Sequence, residues 1–155
     1  MRLFRLAKNK PGKYRADDLS GNGAAIAGGR WNPAGMPALY TSLNAATAVL
    51  EVRVHASGIP PAGNLFLVEL EIPDHLVDKG YEPVLPADWA TLPIPASTVD
   101  VGRHWLMEGT SVAMKVPSVV CPADWNLILN PLHSDYRELK VIRQEAFGLD
   151  PRLFC

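Results

Sequence analysis

Prolines and glycines interrupt this chain so often that no long helix can be drawn through it, and that is its tightest constraint. They gather at 33–37, 58–63 and 83–95 among fourteen prolines and twelve glycines spread along the sequence. A proline inside a helix removes a hydrogen bond and clashes with the preceding turn. Such a chain favours short strands, short helices and long shaped loops over a helix bundle. The clearest element is Leu65 to Ile72, where Phe66, Val68, Leu70 and Ile72 alternate with Leu65, Leu67, Glu69 and Glu71. That period of two is a strand whose charged end opens to solvent.

The remaining elements follow from the same reading. Arg2 to Leu6 alternates as a short opening strand, with Arg5 on one face. Lys8 to Gly35 reads as one long loop, which a compact domain rarely keeps unless it binds something. Ala38 to Thr41 is a second strand carrying Tyr40. Ser42 or Asn44 can cap a helix from about Ala45 to His55. Val49, Glu51, Arg53 and His55 also alternate with Leu50, Val52 and Val54 as a strand would, but the three alanines and the cap favour the helix. Gly58 to Gly63 ends it. Asp74 to Pro95 offers only short helical turns, and Thr98 can cap a helix through Glu108 with Val99, Val101, Trp105 and Leu106 inward and Gly109 past its end. Ser111 to Val120 and Asn126 to Leu129 are strands separated by the turn Pro122-Ala123-Asp124-Trp125, and a last strand runs from about Glu138 to Phe147. The expected fold is α+β, a mixed and mainly antiparallel sheet with flanking helices, in one domain over residues 1–155.

Several function classes drop out. With 15 basic against 16 acidic residues, a net charge of −1 and no two basic residues adjacent, the chain lacks a nucleic-acid footprint, though a local basic pocket is allowed. Cys121 and Cys155 have no C-x-x-C spacing, which argues against a disulfide framework and for a reducing, cytoplasmic setting. The N-terminus turns polar by Lys8, too early for a signal peptide, and no apolar run approaches the roughly 20 residues of a membrane span. The four histidines show no metal spacing. Gly21-Asn22-Gly23 lacks the third glycine and preceding strand of a dinucleotide fingerprint, and no Gly-Lys-Ser/Thr is present. Ser118 has no nucleophile elbow, and Cys121 no sign of activation.

Four positions remain as candidates for chemistry. Arg30 lies between a glycine pair and Trp31 in a segment too rich in Gly and Pro to be helical. Its planar fork suits a phosphate or carboxylate, or it stacks on the tryptophan in a surface turn. Tyr40 is either a core ring with a satisfied hydroxyl or a flat face for a ligand. Glu51 is a carboxylate in an apolar run, which needs a partner, as a structural ion pair or as a functional acid. Ser118 is a short donor that bonds either nearby backbone or a site group.

Together these residues resemble a known family. Gly28-Gly29-Arg30-Trp31-Asn32, Leu39-Tyr40-Thr41-Ser42, Glu51 in Ala48-Val49-Leu50-Glu51-Val52, Val116-Pro117-Ser118, Asn130-Pro131-Leu132-His133 and the closing Phe147-Gly148-Leu149-Asp150-Pro151-Arg152-Leu153 are similar, in that order, to the RES-domain family. That family is named for an Arg, a Glu and a Ser, and its members are toxins of bacterial type II toxin-antitoxin modules encoded beside an Xre-type antitoxin. The resemblance implies a fold akin to ADP-ribosyltransferase toxins, NAD+ as substrate rather than as a resident cofactor, and growth inhibition through loss of cellular NAD+. It maps the family's Arg to Arg30, its Glu to Glu51 and its Ser to Ser118, with Tyr40 beside them. Arg5, Gly29 and Asn130 join Arg30 and Tyr40 as NAD+-binding candidates, the glycine through backbone amides open to phosphate. Transferases typically place their Glu at a strand, whereas here it is read on a helix, which favours NAD+ cleavage by a glycohydrolase-like enzyme over protein modification; the sequence does not choose among water, phosphate and protein as acceptor, and a non-enzymatic nucleotide-binding module is the reading outside enzymes. The implied partner is the Xre-type antitoxin, with a homodimer allowed within the complex; no patch in the sequence marks where it docks, and Asp74 to Pro95 reads as a solvated loop before it reads as a docking surface.

Overall fold

The computed structural model describes residues 1–56 and 63–154. The breaker stretch from Gly58 falls outside them up to Gly63, as does Cys155. Six strands form one sheet: β1 (Arg2–Lys8), β2 (Leu39–Ser42), β3 (Leu65–Glu71), β4 (Ala113–Pro117), β5 (Trp125–Leu129) and β6 (Lys140–Ala146). Their order is β4-β5-β2-β1-β3-β6, and every pairing is antiparallel. The α+β expectation therefore holds, with the opening strand near the middle of the sheet. Among the described residues four α-helices accompany it, α1 (Asn22–Ala27), α2 (Ala45–Arg53), α3 (Asp74–Asp78) and α4 (Ala96–Glu108).

Register decides what each face carries, because alternate residues of a strand point to opposite sides. Leu3 stands opposite Leu70, Arg5 opposite Val68, Leu39 opposite Leu129, and Ala113 opposite Leu129. The aliphatic side chains among these, without Arg5, build one buried cluster with Leu76 of α3 and with Leu139. The alternate positions, Tyr40, Met114, Val116 and Ile128, face a second cluster made by Trp31, Trp105 and Leu106. Each of the large buried side chains contributes about 1.5–3 kcal/mol, so both faces are anchored. The outer edge of β4 is covered by Tyr81, whose N–H donates to Ala113 and whose carbonyl accepts from Lys115.

Several boundaries differ from the sequence reading. Lys8 to Gly35 is not one loop: β1 runs on to Lys8, and α1 occupies Asn22–Ala27. That helix has no side-chain cap and starts after Gly21 in the left-handed region at φ 71°, so its start carries no side-chain capping signal. α4 begins at Ala96 with Pro95 as its flanking residue, and Thr98 lies inside it, its hydroxyl donating to the Pro95 carbonyl. α2 stops at Arg53 rather than His55. β4 ends at Pro117 instead of Val120, and β5 takes in Trp125 of the expected turn. Ser134–Glu138 is a 3-10 turn, so β6 starts at Lys140.

Candidate active site

The Gly-Gly-Arg-Trp-Asn stretch is a tight turn wrapped around one side chain. Asn32 is fully buried, and its amide donates to the carbonyls of Ala24, Pro33 and Met36 at 2.9–3.1 Å. Its Oδ1 accepts from the Tyr40 hydroxyl at 2.7 Å, and that hydroxyl accepts from the Trp31 N–H at 3.0 Å. Tyr40 on β2 thus anchors the turn to the sheet. Burial raises its phenol well above the ordinary value, outweighing the Trp31 bond and the Arg30 charge that act to lower it.

Two glycines are required by space. A Cβ on Gly29 would come within 2.6 Å of the Tyr40 hydroxyl, and one on Gly102 of α4 within 1.8 Å of the Trp31 carbonyl. The Gly29 N–H donates to the Asn32 carbonyl at 2.9 Å, and the Gly28 N–H to Ala24 at 2.8 Å. Both amides are therefore spent inside the turn, which corrects the expectation that Gly29 offers its backbone to phosphate.

The turn leaves Arg30 projecting. One guanidinium nitrogen, Nη1, donates to the Trp89 carbonyl at 2.6 Å and to Thr91 at 3.1 Å. Among the described residues Arg30 forms no salt bridge. Burial pushes its guanidinium below the usual arginine value, while the charges of Glu51 and Tyr40 act to raise it. The cation is held by carbonyl oxygens and feels Glu51 through space.

Glu51 arrives from α2. The Asn44 side chain caps that helix by accepting from the Thr47 N–H at 3.0 Å, and Thr47 and Ala48 are its buried residues. Glu51 lies four and three residues further on, on the same inward face. Its Oε1 accepts from Ser118 Oγ at 2.8 Å and from Asn126 Nδ2 at 2.6 Å. Ser118 is fully buried, and its Oγ accepts from the Cys121 N–H at 3.1 Å. The turn bearing Ser118 is tied to α2 by Asp124, whose Oδ2 accepts from Asn44 and Thr47.

Arg30, Tyr40, Glu51 and Ser118 are thus brought together, with Gly29 packed on the Tyr40 hydroxyl. Arg5 and Asn130 are not. Arg5 lies with Leu3 and Ala7 on the opposite face of the sheet from Tyr40, donates to the Asp18 carbonyl at 2.8 Å, and is pushed below the ordinary arginine value chiefly by burial. Asn130 is buried and donates to the Leu106 carbonyl at 3.4 Å while accepting from the Leu132 N–H, so its amide staples α4 to the turn after β5. Asn32, Ser42 and Asn126 were missed as supports of the site. The signal for Asn126 was a lone amide in the otherwise apolar run Trp125-Asn126-Leu127-Ile128-Leu129. An open groove of about 510 Å³ beside Lys13, Tyr14, Arg15, Asp17, Asp18 and Leu19 shares no lining residue with this group. The convergent polar cluster defines the candidate site, because there a cation and an anion lie close enough to act on each other without forming a salt bridge among the described residues.

Fold and site together define a RES-type domain. The RES domain model matches residues 2–150, and the chain belongs to that family. Among its relatives, "Toxin Res" of Photorhabdus laumondii is 35% identical over 155 residues, covering 99% of this chain and 97% of the relative. "Prs ADP-ribosylating toxin" of a Sphingobium strain is 37% identical over 145 residues, covering 90% and 89%. A chain in the crystal structure of the M. tuberculosis MbcT-MbcA toxin-antitoxin complex shares the fold, with a TM-score of 0.66 at 20% identity over 99% of this chain and 86% of that one. No helix among the described residues is long and apolar enough to cross a membrane.

Proposed function

We propose that this chain is the toxin of a toxin-antitoxin module and that it depletes cytoplasmic NAD+ by breaking the bond between nicotinamide and ribose. The observation that carries the reading is the pairing of an unneutralised cation with a half-buried carboxylate from a different element. Bond breaking builds positive charge on the ribose as a neutral base leaves, and a carboxylate beside the sugar stabilises that charge, as in glycoside cleavage. Glu51 Oε2, which accepts no hydrogen bond among the described residues, is the atom for that role or for a ribose hydroxyl. Arg30, held at one nitrogen, turns the rest of its fork to the diphosphate. Tyr40 keeps the turn in place and lends its ring edge to the nicotinamide side.

Purified protein incubated with NAD+ tests this by nicotinamide release. The wild type is expected to release it, and Glu51→Gln to lose about 100 to 1,000-fold in rate. A wild type that leaves NAD+ intact would refute the reading.

A second reading is ADP-ribose transfer to a protein, favoured by the name of the Sphingobium relative. Mass spectrometry separates the outcomes by product: free ADP-ribose for hydrolysis, ADP-ribose 1''-phosphate for phosphorolysis, a protein of increased mass for transfer. The partner proposed for the toxin is an Xre-type antitoxin, in keeping with the toxin-antitoxin complex that shares this fold. Co-expression with the neighbouring reading frame should restore growth.

A further inference from the structure

Both described donors to Glu51 end on the same oxygen. Ser118 Oγ and Asn126 Nδ2 converge on Oε1, at 2.8 and 2.6 Å. Asn126 is itself held: the Ser42 hydroxyl donates to its Oδ1 at 2.7 Å, and Ser42 stands directly opposite it in the β2–β5 ladder. On its other side Asn126 pairs with Val116 of β4, so it occupies the middle of three strands. Ser42 is 3% exposed, so little water competes for this relay.

The direction of the relay is fixed by chemistry. An inverted Asn126 amide would set its carbonyl against the carboxylate and repel it. The carboxylate, which only accepts, therefore selects the orientation that aims Nδ2 at Glu51, and the Ser42 hydroxyl, able to donate or accept, holds the other end by donating to Oδ1. The terminal torsion of a glutamate is broad and roughly two-fold, so a lone donor would leave the carboxylate plane free to swing. Two donors on one oxygen, from the turn after β4 and from β5, fix the plane and leave Oε2 unengaged by described residues.

We propose that Asn126 is a positioning residue for Glu51: with Ser42 behind it and Ser118 beside it, it pins Oε1 and presents Oε2 to the substrate. Its catalytic consequence rests on the NAD+-cleavage reading, whereas the hydrogen bond itself does not.

Asn126→Asp, nearly equal in shape, replaces the donor with a second acidic group and tests the role in the full chain. A misplaced group of this kind costs on the order of 100-fold. The expected result is a fall of about that size in kcat, with KM for NAD+ within about threefold. The acid limb of the rate profile should move to higher pH, because a neighbouring carboxylate disfavours the charged form. Ser42→Ala, which removes the bond at Oδ1 and loosens the amide, should fall between the variant and the wild type. An unchanged kcat and pH profile would overturn the proposal, as would a lower melting temperature with the profile unmoved, the mark of a merely structural residue.

A second measurement needs no turnover. In a ¹⁵N–¹H spectrum the Asn126 side-chain amide should carry one proton shifted downfield, and Glu51→Gln should move it upfield. If the wild type releases no nicotinamide, the functional reading falls while this signal still supports the pinned carboxylate. An amide that ignores Glu51→Gln removes the positioning role whatever the enzyme does.

Discussion

Replacing Gly102 with alanine tests whether the site depends on the packing beneath it. A Cβ at Gly102 would lie 1.8 Å from the Trp31 carbonyl oxygen and 2.5 Å from its carbon, against a floor of 3.0 Å for real contacts. The helix or the turn must therefore retreat by more than about 1 Å. The obstacle is backbone, which cannot rotate away, so the cost belongs near the top of the usual range for overpacking, about 3 kcal/mol. Alanine returns up to about 1 kcal/mol through helix propensity. A net loss of about 2 kcal/mol lowers the melting temperature of a domain this size by roughly 4–8 °C. Because Trp31 follows Arg30, the retreat also moves the guanidinium, and NAD+ turnover should fall by at least tenfold at temperatures where the variant is folded. Thermal unfolding by circular dichroism and nicotinamide release at 20 °C read the two effects. Gly23→Ala in α1, where a Cβ meets nothing within 4 Å, is the control and should keep both properties. A Gly102→Ala protein that melts within 1 °C of the wild type with full activity would refute the account of the helix–turn contact.

Three further outcomes follow from the same geometry. Tyr40 and Tyr136 are both held protonated chiefly by burial; each group raised in this way stabilises the fold fully below pH ~10 and loses that contribution as pH climbs further. Denaturant unfolding between pH 8 and 11 should show stability falling at the alkaline end, and Tyr40→Phe should fall less steeply while starting about 1–3 kcal/mol lower through the lost Asn32 and Trp31 bonds. Asp124→Ala removes the acceptor shared by Asn44 and Thr47 at the start of α2; charge-assisted bonds of this kind are worth about 1.5–3 kcal/mol, and a variant as stable as the wild type in urea would contradict the tie. Arg30→Lys keeps the charge but loses the fork, so KM for NAD+ should rise by about tenfold or more with kcat less affected, measured by initial rates.

How much of this was legible from the residues depends on whether the information was local. The strand at Leu65 and the Asn44 cap were, because periodicity and capping are written within a few positions, and the cap settles Glu51 on a helix. Arg30, Glu51 and Ser118 were visible as a joint pattern, but the bond between Ser118 and Glu51 spans 67 positions. The helix at Asn22 carried no cap to find. Arg5 looked like a site residue on its strand, yet only the register with Val68 shows which face it takes. Gly102 gave no hint, since its reason is the Trp31 backbone across the fold. Asn126 is the same case: a polar residue in a short strand has no meaning until its ladder sets Ser42 opposite it.

The way each charge is held explains why the site does not cancel itself. Had Arg30 and Glu51 met as an ion pair, each would have satisfied the other, and a dinucleotide would have to break that pair in order to bind. Instead Arg30 is fixed by the carbonyls of Trp89 and Thr91, and Glu51 by the hydroxyl of Ser118 and the amide of Asn126. All four partners are neutral, so they set geometry without quenching charge. Under the proposed function, a site built this way would keep a cation for the diphosphate and an anion for the sugar, with their orientation set when the fold forms.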